Sequence, residues 1–180
     1  MLKKEDKTMT TKKSIWILFG ILLISAWVLQ AGAETMKCQT SGNMVKREVI
    51  PIPGVEGHTL NISMRDGLAF FEQGEVSLFK AFASGYGITG KGGQAQGYFS
   101  FTFVDGSSII ATFRQTAEPD PEGKFAAYNK FTGEILKGTG RFEGIKGSLS
   151  GDGKLFKPEK GELSGKSNNH LTFTYTLPPK

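Results

Sequence analysis

After residue 43 the chain alternates apolar and polar positions with a period of two, the spacing of side chains on the two faces of a β-strand. Residues 44–50 form the first such run, stopped by Pro51 and Pro53. His58, Leu60, Ile62 and Met64 share one face of the next, with Thr59, Asn61 and Ser63 on the other. Asp66-Gly67 predicts a turn into residues 68–71, and 75–84 is a longer strand. Phe99, Phe101 and Phe103 share a face of the run 94–104, opposite Tyr98, Ser100 and Thr102. Asp105-Gly106 is a two-residue hairpin signal, followed by runs at 107–115, 124–136, 145–156 and 169–177. No stretch after residue 33 carries a sustained apolar stripe at helical spacing.

Short strands at regular spacing, joined by Asp-Gly and Gly-rich turns, predict a sandwich or a barrel. The connections read as local hairpins, so the simpler expectation is an all-β, eight-stranded antiparallel β-barrel, whose closure removes exposed edges. A two-residue turn at 105–106 pairs position 104 with 107. It therefore sets Phe101 opposite Ile110 and Phe103 opposite Ser108. That register places Phe99, Phe101 and Phe103 inside and leaves the side of Phe113 undecided, since a one-residue bulge would bring it round.

Residues 1–33 read differently. Lys12 and Lys13 precede an uncharged run, 14–33, with an apolar heart at 15–29 and Ala31-Gly32-Ala33 before Glu34. A basic start, an apolar run and small residues at the A-x-A positions make a secretory signal peptide. The expected organisation is a signal peptide at 1–33 and a barrel domain at 34–180, secreted or periplasmic after cleavage near Ala33. Retention of the run as an N-terminal anchor is the alternative, and Met9 is an alternative start. The leader holds five lysines and two acids, so of the chain's 22 basic and 17 acidic residues, 17 and 15 remain in the barrel. Its charge is near balance, which argues against a nucleic-acid partner. Cys38 is the only cysteine, so no intramolecular disulfide forms and the fold rests on its core. Thirteen of the fourteen phenylalanines lie after residue 33, at roughly 1.5–3 kcal/mol per buried ring.

Chemical motifs are few. Gly85-Tyr86-Gly87-Ile88-Thr89-Gly90 matches G-x-G-x-x-G, but Gly92-Gly93 follows where a phosphate loop needs a helix start. His58 and His170 are far apart and Cys38 is isolated, so no metal site is expected, and no cofactor. There is no G-x-S-x-G elbow. His58 shares parity with Leu60 and Ile62. It is either a hydrogen-bonded residue at a strand end or a polar group inside an apolar cavity, suited to ligand orientation or acid/base work. Arg114, opposite in parity to Phe113, is either solvated or faces a ligand.

The strongest local signature is Gly138-Thr139-Gly140-Arg141-Phe142-Glu143-Gly144 followed by Gly147. Gly138 and Gly140 permit a tight bend and Phe142 can tuck beneath it. Together with 67–76 and 97–107, this pattern resembles the family of allene oxide cyclase-like barrels, related to plant dirigent proteins, over about residues 58–156. The resemblance implies an eight-stranded barrel with an apolar cavity, often assembled as a trimer. Plant members cyclise an oxidised fatty acid or steer radical coupling, and others close rings in natural-product pathways. The plant cyclase's catalytic residues are not matched one by one, so the resemblance implies fold and cavity rather than activity. The expected function is binding of a small apolar molecule in the barrel cavity, with His58, Phe99, Phe101, Phe103 and Arg114 as candidate ligand-binding residues. A cyclase- or isomerase-type enzyme acting on a hydrophobic substrate is the alternative, as is a structural or interaction protein with a filled barrel. The lack of an acid/base cluster favours binding over catalysis.

Overall fold

The computed structural model describes residues 32–179. The apolar run at 15–29, with Trp16 and Trp27, lies outside the described residues. Eight strands follow in chain order: β1 (Glu34–Pro51), β2 (His58–Phe71), β3 (Val76–Ile88), β4 (Gly92–Phe103), β5 (Ser108–Glu118), β6 (Ala127–Thr139), β7 (Lys146–Leu155) and β8 (Ser167–Thr176). Each pairs antiparallel with the next. β8 returns to β1, with Cys38 opposite Leu171, and closes the barrel. The expected eight-stranded antiparallel barrel is the observed fold.

Three local expectations need correction. β1 starts at Glu34, ten residues before the first apolar run. Its inward positions there are Met36, Cys38, Thr40 and Gly42, too mixed to read as an apolar face. β2 is one strand, and Asp66-Gly67 is not a turn. Gly67 lies opposite Gly42, where a Cβ would sit 2.7 Å from the Gly42 Cα, so glycine here permits close approach of two backbones. Across the β4–β5 turn Phe103 is hydrogen-bonded to Ser107, so three residues, 104–106, lie between them, with Gly106 at φ 81°. Phe103 N–H donates to the Ser107 carbonyl at 2.9 Å, and the Asp105 carboxylate accepts from Ser107 N–H at 2.9 Å. The extra loop residue shifts the register by one. Phe101 faces Ile109, Phe99 faces Ala111 and Gly97 faces Phe113. Phe113 therefore turns inward and Ile110 outward, with no bulge needed.

The interior divides along the barrel axis. One end is aromatic: Phe71, Phe79, Phe99, Phe101, Phe103, Phe113, Phe131, Phe142 and Phe173 form one cluster. Phe99 stacks on Phe113 with ring centroids 4.2 Å apart, and Phe173 meets Phe101 edge-on at 5.3 Å. The glycine signature closes this end. After β6, Gly140–Phe142 make a single 3-10 turn with Gly140 at φ 61°, and Phe142 packs on Phe103 at 5.0 Å. Arg141 then clasps Glu75 of the β2–β3 connection through two contacts, 2.6 and 2.8 Å, while lying over the Phe103 and Phe142 rings. Glu75 hydrogen-bonding holds Arg141 protonated more firmly still. The other end of the interior is polar, with Asn129, Ser167 and Asn169 buried beside Arg65.

Candidate functional site

Phe99, Phe101 and Phe103 are 2%, 0% and 5% exposed, which makes them core rather than cavity wall. The interior space beside Phe99 is about 70 Å³ and is lined by Arg65, Asn129, Asn169 and Gln115 as well as by phenylalanines. Small-molecule sites usually measure about 300–1,000 Å³, so the lumen as it stands holds no lipid-sized ligand.

His58 opens β2 on the face of Leu60 and Ile62, and that face is the outside: these two residues are 48% and 54% exposed. Of the two readings of His58, the polar group inside an apolar cavity is thus overturned, and the position at a strand end is the one observed. The inward side chains of β2 are Ser63, Arg65, Ala69 and Phe71. Apolar parity misleads in this strand because its outward face is the apolar one near the polar end of the barrel. Arg114 is also outward and exposed, opposite Gln96 on β4 and Thr132 on β6. The structure brings together neither His58 with the phenylalanines nor Arg114 with His58.

What it does bring together is an outer groove that no run of the sequence announces. Ile50, Leu60, Tyr86, Gln94, Thr116 and Lys130 are successive cross-strand partners from β1 to β6. A second row, Ile62, Ser84, Gln96, Arg114 and Thr132, runs beside it. Together they line a hollow of about 880 Å³ on the barrel's outside. A barrel surface is convex around its axis but hollow along its strands where they coil strongly. Glycine allows that coiling: a Cβ on the inward-facing Gly97 would meet the Phe82 carbonyl carbon at 2.8 Å and the Ala83 Cα at 2.9 Å.

The groove is graded. Its β1–β3 side is apolar and open to solvent, with Ile50 55% exposed and Tyr86 44%. β4 adds the two glutamines, and β5 and β6 add Arg114 and Lys130. The lining holds no acid, histidine or thiol. Among the described residues neither cation makes an ion pair, although Asp152 sits opposite Lys130 just outside the lining. Only cross-strand register assembles this surface from six separate sequence segments. The one visible signal is the set of large apolar residues on the outward parity of the 58–64 run. No family model, curated protein or solved structure matches the chain.

Proposed function

We propose that the chain is an exported binding protein, not a catalyst, and that it holds a small amphipathic molecule in the outer groove. The observation that carries this reading is the coincidence of a ligand-sized hollow with apolar side chains left exposed on β1–β3. The apolar body of the ligand lies over Ile50, Leu60, Ile62 and Tyr86. An anionic group extends toward Arg114, where the guanidinium offers a charge-assisted hydrogen bond. A lining without acid, histidine or thiol supports binding over acid/base or nucleophilic chemistry. Export rests on the leader pattern. Uptake into the lumen, and the cyclase-like activity that goes with it, would require the aromatic core to part.

The test is titration with 1-anilinonaphthalene-8-sulfonate, an apolar anion, with light scattering on the same samples. Wild type is expected to bind saturably, Ile62→Glu to lose binding while keeping its circular dichroism, and Arg114→Gln to bind about tenfold more weakly. Binding that survives Ile62→Glu would refute the site. So would a wild type that binds nothing but forms an oligomer that Ile62→Glu dissociates, which would assign this face to a second copy of the chain.

A further inference from the structure

Among the described residues, the interior of the polar end holds a cation with no counter-charge. Arg65 faces inward from the middle of β2. Its guanidinium donates to the Gly165 carbonyl at 3.0 Å and to the Ser164 hydroxyl at 3.1 Å, leaving three of its five N–H donors without a partner. Beside it, Arg47 reaches the Leu163 carbonyl at 3.5 Å. Both arginines therefore hold the β7–β8 connection, residues 156–166, across this end of the barrel. Neither makes an ion pair among the described residues, and no carboxylate lines the 70 Å³ cavity below. The neighbouring polar groups include donors. Asn129 accepts from Gln115 through its Oδ1, at 2.9 Å, which leaves its amide N–H groups free, and Ser63 and Ser167 add hydroxyls. Asn169, 3% exposed, keeps a buried Oδ1 without a partner in the same lining.

A half-buried guanidinium beside a second one is a costly arrangement unless an anion joins it. Burial and the nearby Arg47 push Arg65 down to about 10, which reports the same missing counter-charge. About 10–15 Å³ suffices for one water, so 70 Å³ takes a few waters or one small molecule, not an acyl chain. We infer that the polar end of the barrel is a binding site for a carboxylate, held by Arg65 with help from Asn129 under the 156–166 connection. The planar fork of Arg65 matches a carboxylate's two oxygens, and Asn129 N–H groups supply further donors. This site adjoins the outer groove, since Gln115 and Phe131 line both, but Arg65 and Asn129 are not among the groove's lining residues.

The carboxylate could belong to a small acid or to the head of a longer chain, and the cavity size selects the small acid. The experiment is an acetate titration at constant ionic strength, with chloride as the balancing anion, followed through the arginine side-chain N–H signals in nitrogen-edited NMR. A parallel titration uses decanoate. Saturable acetate-dependent movement of the Arg65 signal is expected, and acetate affinity in Arg65→Met is expected to fall about tenfold or more. Asn129→Asp keeps the oxygen that accepts from Gln115 and places a carboxylate in the cavity. It should raise the melting temperature and abolish acetate binding. No saturable movement, or equal movement with chloride alone, would overturn the site as an adventitious ionic effect. Binding of decanoate but not acetate would overturn the small-acid assignment, and unaltered acetate binding in Asn129→Asp would move the ligand elsewhere.

Discussion

Gly140 and Cys38 show how single residues carry the fold. Gly140 sits at φ 61°, where a side chain is disfavoured, and its missing Cβ would lie 2.9 Å from the Ser107 Cβ. Gly140→Val is therefore expected to destabilise by about 1–3 kcal/mol in chemical denaturation. A loss of only a few tenths would show that the turn relaxes freely. Gly138, two residues earlier, has no left-handed backbone; a Cβ there would meet the Ile145 Cγ2 at 2.6 Å, so its role is space. Cys38 faces the interior from β1, and burial pushes its thiol up to about 12 from 9.0. The unfolded thiol ionises first, so this stabilisation is complete below pH 9 and is lost as pH rises from there to about 12. Cys38→Ala should flatten that part of the stability profile. In the native wild type at pH 8, Cys38 should react with maleimide only as fast as the barrel opens. Fast labelling under native conditions would place the thiol outside the core.

Strands, rather than residues, decide which side chains are core. Phe101 and Leu78 lie on neighbouring strands at opposite parity, one fully buried and the other 59% exposed. Phe101→Ala is expected to cost about 3–5 kcal/mol, and Leu78→Ala about 0.5 kcal/mol or less, measured by urea denaturation. Equal costs would contradict the observed register. The same comparison explains what the sequence disclosed. β4, with strict alternation and one strongly aromatic face, was legible in position and facing, and β8 in position. β5 was legible in position, but its facing turned on whether the connection held two residues or three, and Asp105-Gly106 fits both. A type I turn followed by a left-handed glycine uses the same dipeptide as a two-residue hairpin. β2 misled because both of its faces carry apolar and polar residues: Leu60 and Ile62 outside, Arg65 and Ser63 inside. The candidate site was least legible. Phe99, Phe101 and Phe103 were correctly placed inside, yet they fill the space they were expected to surround. Arg114 was singled out without the groove that gives it neighbours, since those neighbours lie on five other strands.

At the scale of the whole molecule, the barrel begins in sequence where the expected signal peptide ends. Glu34 is both the residue that follows Ala31-Gly32-Ala33 and the first residue of β1. It already pairs with Tyr175 on β8, whose hydroxyl donates to the Glu34 carboxylate at 3.0 Å. The strand that closes the barrel thus begins where a signal peptidase would cut, with no spacer between them. Cleavage there would leave every strand intact, because β1 gains its partners from residue 34 onward. It would also remove both tryptophans, Trp16 and Trp27, and most of the excess positive charge. The expected mature species begins at Glu34, absorbs in the near ultraviolet through tyrosine alone, and folds to a closed barrel. Intact-mass measurement on the non-cytoplasmic fraction, with fluorescence excited at the tryptophan band, checks this. A species that keeps tryptophan emission and sediments with membranes would make residues 14–33 an anchor. Amphiphile binding would then have to be measured on vesicles rather than in free solution.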